Sequence, residues 1–205
     1  MKKMFIDFEK IKRGLRNPRS SYIACRALLK GFYYKFKYRI LFKKIKIGKN
    51  FRVIGKLSIR GPGKVTIGDN ALIVQTLNPV TPWSYHKDAE ILIGHNVHLN
   101  GTRLGCAKRI EIGDNSIMAD CRILDTDFHS IIPEKRNDPA AVKTHPIKIG
   151  KNVWIAMNCI ILRGVTIGDH STIVAGSVVT KDIPEYSVYG GNPAVFIKEA
   201  PRNTE

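Results

Sequence analysis

In the carboxyl-terminal half of the chain an aliphatic side chain recurs at every sixth position, with polar residues and glycine between. The recurring residues are Ile149, Ile155, Ile161, Ile167, Ile173 and Val179. This period fits neither an α-helix, with about 3.6 residues per turn, nor a strand that alternates every second residue. It predicts a coil with three flat sides, each a short strand that points one aliphatic side chain towards a common axis.

A longer repeat supports this interpretation. A six-residue pattern occurs six times. It consists of Ile or Val, any residue, Ile, Gly, then Asp, His or Lys, and finally Asn or His, and it lies at 45–50, 65–70, 91–96, 110–115, 147–152 and 165–170. The starts are 20, 26, 19, 37 and 18 residues apart, which indicates an eighteen-residue triangular turn with insertions. Turns stacked at about 4.8 Å would hydrogen-bond in parallel and bury the aliphatic positions. Gly and Asn suit the corners because they tolerate positive φ.

The amino-terminal quarter has a different pattern. Apolar residues three or four apart alternate there with Lys and Arg, which is typical of a basic amphipathic helix. The apolar positions are Tyr22, Cys25, Leu29, Phe32, Phe36 and Ile40. We therefore expect an all-β solenoid over 45–189, preceded by a basic helical segment over 1–44. A turn, a short helix and a tail are expected over 190–205.

Charge separates the same regions. The chain has 205 residues and a net charge of +17, of which residues 1–50 hold +14 because sixteen Lys and Arg accompany only Asp7 and Glu9. The remainder is close to neutral and offers no nucleic-acid recognition module, so no nucleic-acid partner is expected. The basic segment is expected to cap the open end of the solenoid, to contact an anionic membrane surface, or to do both.

Composition excludes other classes of protein. No stretch approaches the roughly 20 apolar residues of a membrane-spanning helix. The four cysteines, Cys25, Cys106, Cys121 and Cys159, are too far apart for a zinc or redox motif. We expect reduced thiols in a cytoplasmic protein, which would be peripheral at the inner membrane surface if the basic segment binds lipid.

The candidate chemistry lies where the repeat is interrupted. The spacing of 37 leaves about nineteen extra residues, 128–146. Loops extruded from a rigid scaffold commonly carry function. His129 opens this excursion and His145 closes it, and an imidazole suits general-base catalysis because its pKa is near neutrality. A loop histidine without function is the alternative for each.

Three runs of residues resemble a known family. They read Pro-Ile-Lys-Ile-Gly-Lys-Asn-Val-Trp-Ile at 146–155, Gly-Ser-Val-Val-Thr-Lys-Asp-Ile-Pro at 176–184, and Gly-Gly-Asn-Pro-Ala at 190–194. With the repeat, they are similar to the hexapeptide-repeat acyltransferases, in particular the galactoside, maltose and xenobiotic O-acetyltransferases, over roughly 45–198. The run 125–129 is similar to polysaccharide-associated members. The resemblance implies a left-handed parallel β-helix and a homotrimer with active sites between subunits.

The resemblance also implies roles for individual residues. His129 would be the general base, and Asn100 would contact the acceptor or the coenzyme near it. Asp125 and Asp127 are candidates, from their position beside His129 in the sequence, for orienting the imidazole or holding sugar hydroxyls. Trp154 would face outward and wall the pocket for acetyl-coenzyme A. The other residues expected to contact the coenzyme are Ala156, Met157, Ala175, Gly176, Thr180, Lys181 and Lys198. No metal is expected, because the thioester is already activated.

These observations favour an acetyl-coenzyme A dependent O-acetyltransferase that modifies a sugar hydroxyl in a surface polysaccharide or a lipid-linked oligosaccharide. A serine or nucleotide-sugar N-acyltransferase would use the same scaffold and coenzyme, and a noncatalytic solenoid scaffold is a further alternative. A γ-class carbonic anhydrase shares the fold but needs three zinc-binding histidines. The six histidines here show no such cluster around His129.

Overall fold

The computed structural model describes residues 18–41 and 44–202. This part of the chain consists of one α-helix, α1 (Pro18–Leu41), and nineteen short strands that wind into a solenoid with three faces. Apart from the last strand, the strands pair in parallel with their counterparts in the neighbouring turns. Ile110, for example, is in register with Ile91 on one side and Ile147 on the other. The predicted parallel β-helix is confirmed.

The three faces are three sheets of stacked strands. The first face holds β1 (Ile45–Ile47), β3 (Lys64–Ile67), β6 (Glu90–Ile93), β9 (Arg109–Ile112), β12 (Ile147–Ile149) and β15 (Thr166–Ile167). The second holds β2 (Arg52–Ile54), β4 (Leu72–Val74), β7 (His98–Asn100), β10 (Ile117–Ala119), β13 (Trp154–Ile155), β16 (Thr172–Ile173), β18 (Ser187–Gly191) and β19 (Ala194–Glu199). The third holds β5 (Thr81–Ser84), β8 (Arg103–Cys106), β11 (Arg122–Leu124), β14 (Ile160–Ile161) and β17 (Val178–Val179).

The core is the aliphatic column that the six-residue period predicts. All six recurring residues from Ile149 to Val179 are at most 1% exposed. Burying each such side chain is worth about 2 kcal/mol relative to leaving it in water. Since every one lies against its counterparts in neighbouring turns, burial stabilises the stack as a whole rather than any single coil.

The corners are also as predicted. The sixth residue of every repeat has positive φ, between 50° and 61°: Asn50, Asn70, Asn96, Asn115, Asn152 and His170. Their side chains form a ladder along the axis, in which Asn70 Nδ2 donates to Asn96 Oδ1 at 3.0 Å and Asn96 Nδ2 donates to Asn115 Oδ1 at 3.0 Å. One residue type therefore serves both the backbone conformation and the stacking.

Helix α1 covers the open end of the first coil. Gly31 lies so close to this coil that an added Cβ would be 1.9 Å from the Phe51 carbonyl oxygen. The Tyr34 and Tyr38 hydroxyls accept hydrogen bonds from backbone N–H groups of the coil. The cap is thus present, but the six apolar positions noted in the sequence point away from the solenoid, and the opposite face packs on it. Among the described residues no helix has the length and apolarity needed to cross a membrane.

The carboxyl terminus corrects one expectation. A short helix is predicted over 194–200, but Ala194–Glu199 forms β19, which turns back antiparallel on β18. The edge of the second face offers unpaired backbone groups that a strand satisfies and a helix does not. Tyr189 and Phe196 also pack edge to face across this hairpin, with ring centroids 5.7 Å apart.

Candidate active site

The excursion leaves the solenoid at the corner after β11 and returns at β12. Its two ends are tied together: the Thr144 hydroxyl donates to the Thr126 hydroxyl at 2.9 Å, and the His145 N–H donates to the Asp125 carbonyl at 3.0 Å. The His145 carbonyl in turn accepts from the Gly164 N–H at 3.1 Å. His145 thus closes the excursion through its backbone, as predicted. Two short 3₁₀ helices, Pro133–Lys135 and Pro139–Ala141, shape the rest of the loop.

A cleft of about 310 Å³ lies between this excursion and the loop after β5. The residues of its wall that bear on the chemistry are His129, His86, Tyr85, Phe128, Thr126 and Thr144. Phe128 has a φ of 64°, and its ring packs edge to face on Tyr85 with centroids 5.1 Å apart. This contact holds the left-handed backbone directly before His129 and so directs the imidazole.

The His129 ring is exposed on the cleft. Its Nδ1 lies 3.4 Å from the Arg136 carbonyl oxygen. Because a carbonyl only accepts, a hydrogen bond here places the proton on Nδ1 and leaves the lone pair on Nε2. This is the tautomer that a general base needs.

The carboxylate of Asp125 is engaged by the backbone of the solenoid. It is fully buried, and its two carboxylate oxygens accept the backbone N–H groups of Ala107, Lys108 and Arg109 at 2.6, 2.7 and 2.8 Å. Both oxygens are engaged by the preceding turn of the solenoid. The expectation that Asp125 orients His129 or holds the acceptor therefore stays a prediction, and the contacts in this structure favour a role in the scaffold.

The other two residues in that group are also engaged by the scaffold. Asp127 Oδ2 lies 2.6 Å from Arg163 Nε in an ion pair that joins the excursion to the next turn. Asn100 Oδ1 accepts from both the N–H and the hydroxyl of Thr76, at 3.2 and 3.0 Å. Asn100 ends β7, at the corner after the second face, whereas His129 follows the third face, so one chain does not bring them together.

Most of the residues predicted to bind coenzyme form a strip along the second face and the corner after it. Trp154 is 56% exposed on β13, between Ile117 and Thr172 of the adjacent strands. The residues at that corner are Ala156, Met157, Ala175 and Gly176, and the Gly176 N–H donates to the Met157 carbonyl at 2.9 Å. A Cβ added at Gly176 would have no atom within 4 Å, so the corner has open room beside it.

The remaining predicted contacts lie elsewhere. Thr180 and Lys181 are exposed at the corner after the third face, on the same edge of the prism as His129 but two turns further along the axis. Lys198 is exposed on β19. His129 and Trp154 are thus on different sides of a single solenoid.

Sequence reasoning missed two residues of the cleft, Tyr85 and His86. They follow β5 in the turn whose repeat spacing is 26 rather than 18 residues, and that excess was the available signal. Partial burial raises the pKa of Tyr85 above its ordinary value. His86 is exposed on the cleft. Among residues 18–41 and 44–202 no group of three or more His, Cys, Asp or Glu side chains is arranged to hold a metal.

Comparison with known proteins agrees with this architecture. Residues 146–181 match the family model described as bacterial transferase hexapeptide (six repeats). The chain is 31% identical over 154 residues to the putative colanic acid biosynthesis acetyltransferase WcaF of Escherichia coli K12, an alignment that covers 75% of this chain and 69% of WcaF. The chain belongs to the hexapeptide-repeat acetyltransferases. The resemblance found in the sequence is therefore confirmed, and the fold is the left-handed parallel β-helix of this family.

A second curated member of the family is similar over a shorter span. The galactoside O-acetyltransferase of Escherichia coli K12 is 38% identical over 135 residues, which cover 65% of this chain and 63% of that enzyme. The chain therefore spans somewhat less than two thirds of that relative.

Solved structures of this acetyltransferase fold include acyltransferases with bound coenzyme. A variant of AntD, an N-acyltransferase from Bacillus cereus in complex with dTDP-4-amino-4,6-dideoxyglucose and coenzyme A, has a TM-score of 0.62 at 25% identity and covers 82% of this chain and 89% of its own. A hexapeptide-repeat acetyltransferase from Vibrio cholerae, complexed with acetyl-coenzyme A, has a TM-score of 0.54 at 24% identity and covers 92% of each chain. At that identity the second likeness concerns the fold alone.

Proposed function

We propose that this protein transfers an acetyl group from acetyl-coenzyme A to a sugar hydroxyl, with His129 as the general base. The observation that carries the proposal is the exposed imidazole on the cleft, with Nδ1 against the Arg136 carbonyl, which leaves the lone pair of the ring on Nε2. The similarity to galactoside O-acetyltransferase and to WcaF supports the reaction class and a polysaccharide acceptor.

The proposed step is a direct transfer. Nε2 of His129 removes the proton of the acceptor hydroxyl while its oxygen attacks the thioester carbonyl. The carbon–sulfur bond then breaks, and the leaving thiolate takes the proton from the imidazolium. The products are the O-acetyl sugar and free coenzyme A, and His129 returns to its starting state. A backbone N–H near Met157 is the proposed donor to the oxyanion.

The strip that contains Trp154 suits the coenzyme. Ala156, Ala175 and Gly176 leave open backbone where a narrow pantetheine arm would lie, and the exposed indole would form one wall. Lys181 and Lys198 are exposed cations that would meet phosphate groups as point charges.

We further propose a threefold assembly in which His129 of one subunit meets Trp154 of the next. This proposal is supported by the position of the two residues on different sides of one solenoid. A site that contains both His129 and Trp154 would therefore use one residue from each of two subunits. Cyclic symmetry would build three equivalent sites from three copies.

Binding and turnover test the proposal separately. We expect His129→Ala to lower kcat by about 10²- to 10⁴-fold while calorimetry shows unchanged acetyl-coenzyme A affinity. Trp154→Ala should weaken that affinity. His86→Ala, in the same cleft, is the matched control and should change kcat by less than tenfold. If the wild type binds neither acetyl-coenzyme A nor coenzyme A, the noncatalytic scaffold replaces this proposal.

Mixed assemblies test the shared site. When His129→Ala and Trp154→Ala chains are unfolded and refolded together in equal amounts, about one interface in four would pair an intact His129 with an intact Trp154. We expect kcat/KM to recover to about a quarter of the wild-type value. No recovery, with trimers verified by sedimentation, would place the whole site within one chain.

The AntD likeness supports a second candidate, an N-acyltransferase acting on an amino sugar carried by a nucleotide. The same base and coenzyme strip would serve, with an amine in place of the hydroxyl. Paired nucleotide sugars that differ only in a hydroxyl or an amino group, assayed by release of free thiol, separate the two candidates.

A lipid-carried acceptor would place the reaction in the cytoplasm at the inner membrane surface, so the position of the enzyme relative to the membrane matters.

A further inference from the structure

Helix α1 has two apolar faces. Ala27, Gly31, Tyr34 and Tyr38 pack on the first coil. With about 100° of rotation per residue, a second set of apolar residues lies on the opposite side of the helix. We call this set the outer stripe; it consists of Tyr22, Cys25, Leu29, Phe32, Tyr33, Phe36 and Ile40.

The outer stripe is open to solvent. Its large side chains are between 57% exposed, at Tyr33, and 71% exposed, at Phe32. No described residue buries them, and the cap over the solenoid uses the other face. Aromatic and aliphatic side chains in such numbers rarely line a helix without a partner, since exposed apolar patches of this kind mark interaction surfaces.

Basic residues border the outer stripe on both sides. With the same rotation per residue, Arg26 and Lys37 lie along one edge and Arg39 along the other. Helix α1 contains no acidic residue, and none occurs in the sequence between Glu9 and Asp69. The stripe is therefore an apolar band with positive charge along both edges.

Charge decides which partner fits this surface. A second copy of the helix placed stripe to stripe would bring positive edges against positive edges, which disfavours pairing. An anionic membrane matches both features, because acyl chains accept the apolar side chains while acidic headgroups neutralise the edges. The helix does not have the composition to cross a bilayer, which agrees with a helix that lies in the interface.

We propose that α1 is an interfacial membrane anchor as well as a cap: the inner face docks on the solenoid, and the outer stripe inserts among anionic lipids. In the threefold assembly proposed above, the three helices would lie at the same end of the trimer and bind jointly. The cleft is in the fourth turn, about 15 Å further along the axis at about 4.8 Å per turn. On the proposed function, that spacing suits an acceptor sugar held above its lipid.

Flotation of the full chain with vesicles tests the anchor. We expect the wild type to float with vesicles of phosphatidylcholine that contain about 30% phosphatidylglycerol, an anionic lipid, and to remain largely unbound with pure phosphatidylcholine. Phe32→Ser/Phe36→Ser should lower partitioning at least tenfold. Leu77→Ser/Ile131→Ser, which changes two residues at least 69% exposed on the solenoid and the excursion, is the matched control and should float as wild type does.

A charge variant tests the edges. Arg26→Glu/Arg39→Glu should lower partitioning by more than about 25-fold, since each lost positive charge counts about fivefold near an anionic surface. Lys148→Glu/Lys151→Glu, on the fifth turn, should have little effect. Thermal unfolding monitored by circular dichroism establishes that each variant is folded.

Three results would overturn the proposal. They are equal flotation with neutral and anionic vesicles, unchanged flotation of both the Phe32/Phe36 variant and the Arg26/Arg39 variant, or a Phe32/Phe36 variant that sediments without vesicles as a smaller oligomer than the wild type. The last result would assign the stripe to a second copy of the chain. Acetyl transfer to a soluble acceptor, measured without lipid, reports on the proposed function independently of the anchor.

Discussion

Replacement of Asp125 by Ala distinguishes a scaffold role from a catalytic one. The carboxylate accepts three backbone N–H groups, from Ala107, Lys108 and Arg109, at 2.6 to 2.8 Å. These bonds fasten the corner after β8 to the turn from which the excursion leaves. The variant removes both acceptor oxygens, and with them all three hydrogen bonds, and leaves the three donors without a partner in the protein.

The expected loss follows from the exposure of those donors. Ala107 to Arg109 lie at a partly exposed corner, so water replaces part of each lost bond and the cost is about 1 kcal/mol per donor, at the low end of the usual range. The total is about 3 kcal/mol, against a typical stability of about 5–15 kcal/mol. For a chain of this size, that change lowers Tm by about 6–12 °C.

Differential scanning calorimetry at one protein concentration measures the effect, with kcat determined well below the melting range. We expect Asp125→Ala to melt lower and to retain kcat within about tenfold of the wild type. Asp125→Asn, which keeps one acceptor oxygen, should lose about 1 kcal/mol. Asp88→Ala, at an exposed loop position, should melt with the wild type. An unchanged Tm together with a loss in kcat of more than about 10²-fold would show that Asp125 acts on His129, and the scaffold argument would fail.

Three further perturbations test the solenoid. The hydrogen bond from Lys64 holds the pKa of Glu90 below its ordinary value. Glu90→Gln should therefore lower Tm by about 1–3 °C at pH 7, the size expected for an ion pair at the surface. This difference in Tm between the variant and the wild type should disappear as the pH falls through the lowered pKa, because the wild-type carboxylate then also becomes neutral. Asn96→Gly removes the ladder amide, whereas Asn96→Ala also forces a Cβ into positive φ, so chemical denaturation should show Ala less stable than Gly by about 1 kcal/mol. Tyr38→Phe removes the hydroxyl that accepts the Ile59 N–H at 2.9 Å, and urea unfolding should show a loss of about 1–2 kcal/mol.

The sequence predicted the solenoid well because the fold is periodic. Each recurring aliphatic residue has the same environment, so Ile149 and Ile167, one full turn apart, report one structural rule. The asparagines at the corners are equally local, since positive φ is a property of the residue itself. The terminal strand β19 was not predictable in this way, because it forms on an edge that exists only once the second face is assembled.

At the candidate site, the sequence predicted the position of the excursion and of His129. It did not predict what the side chains of the nearby aspartates contact. Asp125 and Asp127 stand within four residues of His129, yet both side chains turn to other turns of the solenoid. Tyr85 lies more than forty positions earlier in the chain but lines the same cleft as His129. Residues that are neighbours in the sequence are also neighbours in space within one flat side of the solenoid. At the corners where an insertion leaves the solenoid, residues far apart in the sequence come together instead.

Helix α1 shows the same division. Its spacing of apolar and basic residues predicted a helix, and the charge of the segment predicted an anionic partner or a capping role. Both helix faces are apolar, however, and the pattern did not say which would pack inward. The tertiary structure decided this because the first coil offers backbone donors to two tyrosine hydroxyls and admits the helix only where Gly31 has no side chain. The larger side chains were thereby turned outward.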